Sequence, residues 1–471
     1  MEDHFDSEER EFEEELAITL SRFNEMKASK ASYFFDVDDF ENLFDHFLEQ
    51  GDFSQASEVL ELSNKQHPLA VSLAIRKAQL MIVKGQLNDA LSILNKVEKI
   101  EPFNVDLLMI KANAYSQMHQ HDKAIIYFSK ALDHQPGNET EIMLDMAMEY
   151  QELLQFEKSI LILASLLDRD PENEIALHEI AHCYERIEEV NDGIEFFQTF
   201  LEEHPFSATG WFNLGDLYAR HDMAEKAIEA YDYAISIKDD FAHAYFNKAS
   251  VYANEGDYKN ALDYFIECSH HEGSNPLTYC FIGECFEKLE DYTMALHYYD
   301  KVLEIDENWA DAWMGKAAVY VLMNEDKKGL KMIEKAIELL PENADYWIFV
   351  AKLYARLKRD EEAVLAFEKL LEMDAENVDV WMDYASYFDD LGEIENALEV
   401  MMEGLSFHGD DAAFNYRLAA LLLKSGNEAD ALIFLGEGLL EDYDANHLLF
   451  DYYKEAINNN NVNQLIQIFK S

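Results

Sequence analysis

Two histidines four residues apart, with a glutamate beside the first, form the one pattern in this 471-residue sequence that spells out chemistry: His178-Glu179-Ile180-Ala181-His182. On a helix, His178 and His182 share a face and could hold one zinc ion, with Glu179 as general base, the H-E-x-x-H arrangement of zinc peptidases. Such a centre also needs a third ligand in a downstream frame and a strand-edged cleft, whereas a second amphipathic helical segment follows here. Cys183, Cys268, Cys280 and Cys285 form no C-x-x-C pair and show no secreted disulfide spacing, so they read as core or small-residue positions in a reducing compartment. There is no P-loop, no Rossmann fingerprint and no G-x-S-x-G. No catalytic residue and no cofactor is assigned; His178 and His182 are the only metal candidates.

The elements that carry these residues are read best from Ala208 to Phe241. Trp211, Gly215 and Tyr218 fall at i, i+4 and i+7, with Leu214 beside them, and Ala227, Tyr231 and Ala234 repeat the spacing after a turn. Large residues fill volume while the small ones let two antiparallel helices approach closely. The unit is an αα-hairpin, and it recurs. Pro68, Pro102, Pro136, Pro171 and Pro205 lie 34, 34, 35 and 34 residues apart, and Pro341 keeps the same phase. A helix end tolerates proline and a helix interior does not. Trp211, Trp313, Trp347 and Trp381 share a second phase, at place four of the unit.

Position by position the unit resembles the tetratricopeptide repeat, with Trp at place four, Leu-Gly at seven and eight, Tyr at eleven, and Ala at twenty and twenty-seven. Asp239 departs from it at place thirty-two, where Pro is usual. The register starts units at Val37, Val71, Val105, Thr140, Glu174, Ala208, Ala242, Pro276, Ala310, Ala344, Val378 and Ala412, with one slip at Glu139. Glycine marks the inter-helix turn at place fifteen in Gly51, Gly85, Gly256, Gly392 and Gly426. The resemblance implies an all-α, right-handed superhelical solenoid of about twelve helix-turn-helix units. Residues 1–36 are expected to form an acidic N-terminal capping helix and its connection, 37–445 the repeats, and 446–471 a truncated thirteenth unit. Phe12, Leu16, Leu20 and Phe23 form the apolar stripe of the capping helix, with Ser7 as its cap, and Lys27 to Ser32 form the connection. In this register Ile180 and Ala181 are places seven and eight, so packing alone explains the centre of the His178–His182 motif.

Net charge is -58, from 37 basic and 95 acidic residues. That balance disfavours nucleic acid and anionic lipid as partners and favours a basic protein segment. It also keeps a long helical array soluble. With no apolar run of membrane-spanning length and no signal-peptide pattern, a cytoplasmic protein is expected.

Similarity to the family places binding residues on the first helices, at places two, five, six, nine, twelve and thirteen. The expected role is that of a non-catalytic adaptor holding an extended or helical segment of another protein. Phe212 and Phe246 supply apolar contact, Asn213 and Asn247 bond a peptide backbone through donor and acceptor together, and Asp216 faces a basic residue beside Arg220. Met314, Ile348, Met382 and Tyr416 continue an apolar ridge at place five, and Lys352 and Arg356 are the groove members of a basic island. The Lys-five, Asn-nine carboxylate clamp of heat-shock co-chaperones in this family is absent: Asn113 stands at nine, but Met109 stands at five. Alternatives are a structural subunit of an assembly, an acidic chaperone-like binder of basic proteins, and a zinc metallopeptidase through His178 and His182. The oligomeric state is left open.

Overall fold

The computed structural model describes the backbone of residues 2–29, 33–134 and 139–470, with side chains for 15–28, 33–134 and 139–470. Among those residues every regular element is helical. The chain falls into two compact units, Met1–Asp239 and Asp240–Ser471, which share one construction. First helices open at Val37, Val71, Val105, Glu139, Glu174 and Ala208 in one unit, and at Ala242, Pro276, Ala310, Ala344, Val378 and Ala412 in the other. Each packs against the second helix that follows it, and within each unit consecutive pairs pack in chain order. Places are counted below from the twelve starts given above. Pro136 lies outside the described residues.

Local chemistry starts and stops these helices. Asn104, Asn173, Asn275, Asn343 and Asn377, with Ser207 and Asp411, cap first helices by accepting a backbone N–H at their N-termini. Asp36 closes a full capping box with Asp39. Every first helix ends in a left-handed residue at place fifteen. Glycine fills five of these turns. The other seven hold His119, Leu154, Glu188, Asp222, Glu290, Asn324 and Lys358, with φ between 54° and 63°. In all twelve the N–H of place sixteen bonds the carbonyl of place eleven, as in Asp52 to Phe47 at 2.9 Å and Gln155 to Tyr150 at 2.8 Å. This is the longer bond of the Schellman motif, and it turns the chain into the second helix even where no glycine is present.

The tryptophan and proline registers are two ends of one contact. Trp211 Nε1 donates to the carbonyl of Pro205 at 2.9 Å, and Trp347 Nε1 to that of Pro341 at 2.8 Å. Trp313 and Trp381 make the same bond to Glu307 and Ala375. Only the carbonyl of place thirty-two is used, which explains why proline there is replaceable. Asn415, standing in place of tryptophan, reaches Gly409 O through Nδ2 at 2.9 Å.

The core runs as a series of clusters, each shared by neighbouring pairs, the arrangement expected when a repeat contacts chiefly its neighbours. At the N-terminus a helix spans Glu2–Ser29. It starts five residues before Ser7, so Ser7 is inside it and does not cap it; Lys27 belongs to its last turn. Phe23 is fully buried against Phe35 and Phe47, Leu20 packs against the same cluster, and Thr19 Oγ1 donates to Asp39 at 3.1 Å. The Phe12 side chain lies outside the described residues. The other end closes with His447–Tyr452, a short 3-10 turn at Lys454–Asn458, and Asn460–Phe469. Asn459 caps that last helix, so the asparagine run is divided between a turn and a helix start.

Candidate peptide-binding face

In the first unit the helix Ala208–Arg220 and its neighbour Glu174–Arg186 bring five of the expected residues together. The His178 ring meets Phe212 edge-on at 5.9 Å, and its Nδ1 lies 2.9 Å from Asn213 Oδ1. Asn213 is only 2% exposed, and its Nδ2 has no hydrogen-bond partner among the described residues. Phe212 is buried as well, because its ring turns toward Tyr231 at 6.0 Å. Tyr231 donates to Asp216 Oδ1 at 2.6 Å. Arg220 Nε pairs with Glu185 Oε1 at 2.8 Å. Burial pushes the Glu185 carboxyl up, Arg220 opposes that, and Asp216 adds to it.

The residues of the H-E-x-x-H pattern are engaged separately. His178 faces Asn213, and Glu179 accepts from Gln151 Nε2 at 2.9 Å. His182 is exposed on the next turn. Among the described residues no three His, Cys, Asp or Glu side chains are grouped as metal ligands. The four cysteines are free and buried. Burial pushes the Cys183 thiol up to about 11 and those of Cys268 and Cys285 to about 12, and it raises Cys280 too. Thiols held protonated in this way are poor nucleophiles.

In the second unit Phe246 is half-buried between Phe265 and Phe281, at 5.3 and 5.4 Å. Asn247, Met314, Ile348 and Met382 keep partial exposure. Tyr416 does not: it is fully buried, its hydroxyl donates to Asp442 O at 2.7 Å, and it has no surface to offer a partner. Lys352 and Arg356 are exposed but engaged. Lys352 pairs with Asp383 of the following helix pair at 2.7 Å, and Arg356 with Asp326 of the preceding one at 2.8 Å. Like Lys352 with Asp383, Arg76 with Asp45, and Arg417 and Lys424 with Asp389, bridge neighbouring first helices, whereas Asp326 stands on a second helix. These five cations are thus held by the chain's own carboxylates.

A cavity of about 370 Å³ opens on the same face between the first helices Pro276–Lys288 and Ala310–Leu322. Its walls include Phe281, Met314, Glu284, Glu287 and Asp311. Burial, then Glu287 and Asp311, raise the Glu284 carboxyl; burial also raises Glu287, which accepts from Tyr299 at 3.3 Å; Lys288, on the same wall, opposes both shifts. Asp311 accepts a hydrogen bond from Tyr346 at 2.5 Å. Two carboxylates displaced from water beside apolar walls form a place where an incoming cation would be favoured. The acidic residues of this cavity were not among those expected to bind. Their signal in the sequence is Gly315 at place six, where the other first helices carry side chains: the missing Cβ leaves room for the ring of Tyr299.

No helix among the described residues is long and apolar enough to cross a membrane. Profiles of the tetratricopeptide repeat match residues 276–308; residues 105–138, 242–269 and 344–377; and residues 186–241. The peroxisomal targeting signal receptor of Kluyveromyces lactis is 34% identical over 93 residues, 19% of this chain and 16% of that protein. Anaphase-promoting complex subunit 3 of Schizosaccharomyces pombe is 21% identical over 151 residues, 32% of this chain and 23% of that one. The alignments thus span under a quarter of either curated relative. Among solved structures, the APC/C hetero-tetramer Cut9-Hcn1 covers 93% of this chain and 95% of that one at 14% identity and a TM-score of 0.40. YrrB, described as a tetratricopeptide-repeat protein with an unusual peptide-binding site, covers 38% and 92% at 24% identity and a TM-score of 0.32.

Proposed function

Because the chain belongs to the tetratricopeptide-repeat family, we propose that it is a non-catalytic interaction scaffold, twelve repeats between two caps, whose first helices hold a basic segment of a partner protein. The observation that carries this reading is the cavity beside Glu284, Glu287 and Asp311, in which carboxylates stand against apolar walls. Met314 supplies apolar contact there, and Phe246, Ile348 and Met382 extend that contact along the same unit. In the first unit Phe212 and Asn213 are covered by adjacent elements, so the contact is assigned to the second unit. Lys352, Arg356 and Arg220 position carboxylates in this scheme and do not meet the partner first. Relatives named as a targeting-signal receptor and as a subunit of a multiprotein complex are in keeping with a scaffold.

Site-specific photo-crosslinking tests the placement. Leu277 is exposed at the mouth of the cavity, and Leu161 is exposed on a second helix of the other unit. A photoreactive residue at 277 is expected to give partner adducts in native lysate that the same residue at 161 does not. Adducts at 161 alone would remove the partner from the first helices.

A further inference from the structure

A second surface, on the side of the second helices, is separate from the face just described. A cavity of about 710 Å³ lies between the second helices Asp360–Met373 and Ile394–His408, where Val378–Asp390 meets them. Phe407, 49% exposed, stacks on Trp381 with ring centres 6.1 Å apart. Phe388 lies beside Tyr384 at 5.1 Å. Glu368, Glu399 and Glu403 stand exposed around these rings and make no ion pair among the described residues. Glu372, on the same rim, pairs with Lys369 at 3.4 Å. Among the described residues no lysine or arginine lines the cavity.

Tyr384 adds an independent observation. It is 6% exposed, it lines the cavity, and its hydroxyl has no hydrogen-bond partner among the described residues. Burial, then Glu368, Glu403 and Glu399, push that hydroxyl up to about 12. The hydroxyl oxygen adds an acceptor to the lining, beside the three carboxylates.

In four of the other eleven repeats the same places are filled from within, by a lysine at place nineteen over the ring at place eleven. The equivalent cavity of the first unit, about 520 Å³, is lined by Trp211, Tyr218 and Lys226 at places four, eleven and nineteen. There Lys226 Nζ sits 5.4 Å from the centre of the Tyr218 ring, and Gln198 donates to the Tyr218 hydroxyl at 2.7 Å. Lys123 over Tyr115, Lys158 over Tyr150 and Lys328 over Tyr320 repeat the contact between places nineteen and eleven. In the 710 Å³ cavity place nineteen is Asn396, whose amide is turned to Glu393, and place eleven is Phe388. Aromatic rings and carboxylates remain there, but the internal cation is missing.

We propose that this cavity receives an arginine or lysine side chain from a basic segment of a partner protein. The ring faces attract the cation through their quadrupoles, and the rim carboxylates pair with it while the side-chain stem covers the apolar floor. Chemistry of both kinds, in a cavity with room for more than one side chain, selects a peptide over an isolated metal ion. The inference does not depend on the first-helix face, and each can fail alone.

The test uses the full chain and a fluorescein-labelled Gly-Arg-Gly-Arg-Gly peptide, followed by fluorescence anisotropy at physiological salt. Asn396→Lys supplies the missing internal cation and is expected to weaken binding about tenfold. Ile126→Lys, the same charge at an exposed position of the other unit, is expected to change it less than about twofold. Glu399→Gln with Glu403→Gln should weaken binding as Asn396→Lys does. Equal weakening by Asn396→Lys and Ile126→Lys would reduce the effect to the field of an acidic protein and overturn the proposal. So would self-association of the free chain that Asn396→Lys abolishes, since a second copy would then be the occupant. The substituted positions are exposed or at a cavity rim, and unchanged far-ultraviolet circular dichroism checks that each variant folds.

Discussion

Tyr299 is clasped by glycine from two helices: a β-carbon on Gly283 would lie 2.8 Å from its Cε1, and one on Gly315 would come closer still. The ring is 1% exposed and has no room to withdraw. Alanine in a helix ordinarily gains about 1 kcal/mol over glycine. Here overpacking should outweigh that gain, so Gly283→Ala and Gly315→Ala are each expected to destabilise by about 1–3 kcal/mol. Thermal melts check the loss. Tyr299→Leu should make it smaller in the double variants, through the coupling of residues in contact.

The inter-helix turns offer a gain of the opposite kind. Leu154 holds φ at 56°, a conformation that costs a non-glycine residue about 1–2 kcal/mol. Leu154→Gly is expected to stabilise by about 1 kcal/mol, read as a higher urea midpoint. Gly85→Ala is the mirror experiment. A β-carbon there meets nothing within 4 Å, so its loss of about 1 kcal/mol would be conformational alone.

Acid should strengthen one part of the first unit. Burial, then Glu141 and Glu149, push the Asp145 carboxyl up to about 6, against about 3.9 in an unfolded chain. The folded form therefore binds the proton more readily. The stabilisation is fully present below about pH 4 and is lost as the pH rises through about 6. Asp145→Asn is expected to slow amide exchange across Glu139–Glu152 at pH 7.5 and to have no such effect at pH 4. After allowance for solvent screening the gain at neutral pH is about 1 kcal/mol.

Alkylation reports on the cysteines. With thiols buried and pushed up to about 11 or 12, iodoacetamide at pH 8 is expected to leave Cys183, Cys268 and Cys285 unmodified in the folded chain and to modify all of them in denaturant. Peptide mass spectrometry measures both states. Rapid modification of any of the three under native conditions would contradict the burial described for it.

What the sequence made legible was whatever repeats. Trp211, Gly215 and Tyr218 are separated by helical turns, and Pro205 lies one hydrogen bond from Trp211, so packing leaves a period that can be counted. What it did not make legible depends on neighbours a full repeat away. Phe212 and Asn213 occupy places where a lone hairpin exposes them, yet adjacent elements cover both. Tyr416 is closed over by the C-terminal segment, to which it donates a hydrogen bond. The Lys352–Asp383 bridge joins residues that no i,i+4 rule connects. Left-handed turns without glycine, as at Leu154 and Lys358, carry no residue signature at all. The cation-free cavity at Phe388 emerges only when equivalent places are compared across repeats.

The extra residue at Glu139 shows what twelve locally closed turns accomplish together. It opens its helix one residue early, the turn still falls at Leu154, and the next first helix still begins at Glu174. A counting error made between two hairpins is erased before the following one starts, because each turn resets the frame from its own hydrogen bond. The array is self-clocking, and a chain built this way can lengthen or shorten a connection without disturbing the phase of anything beyond it.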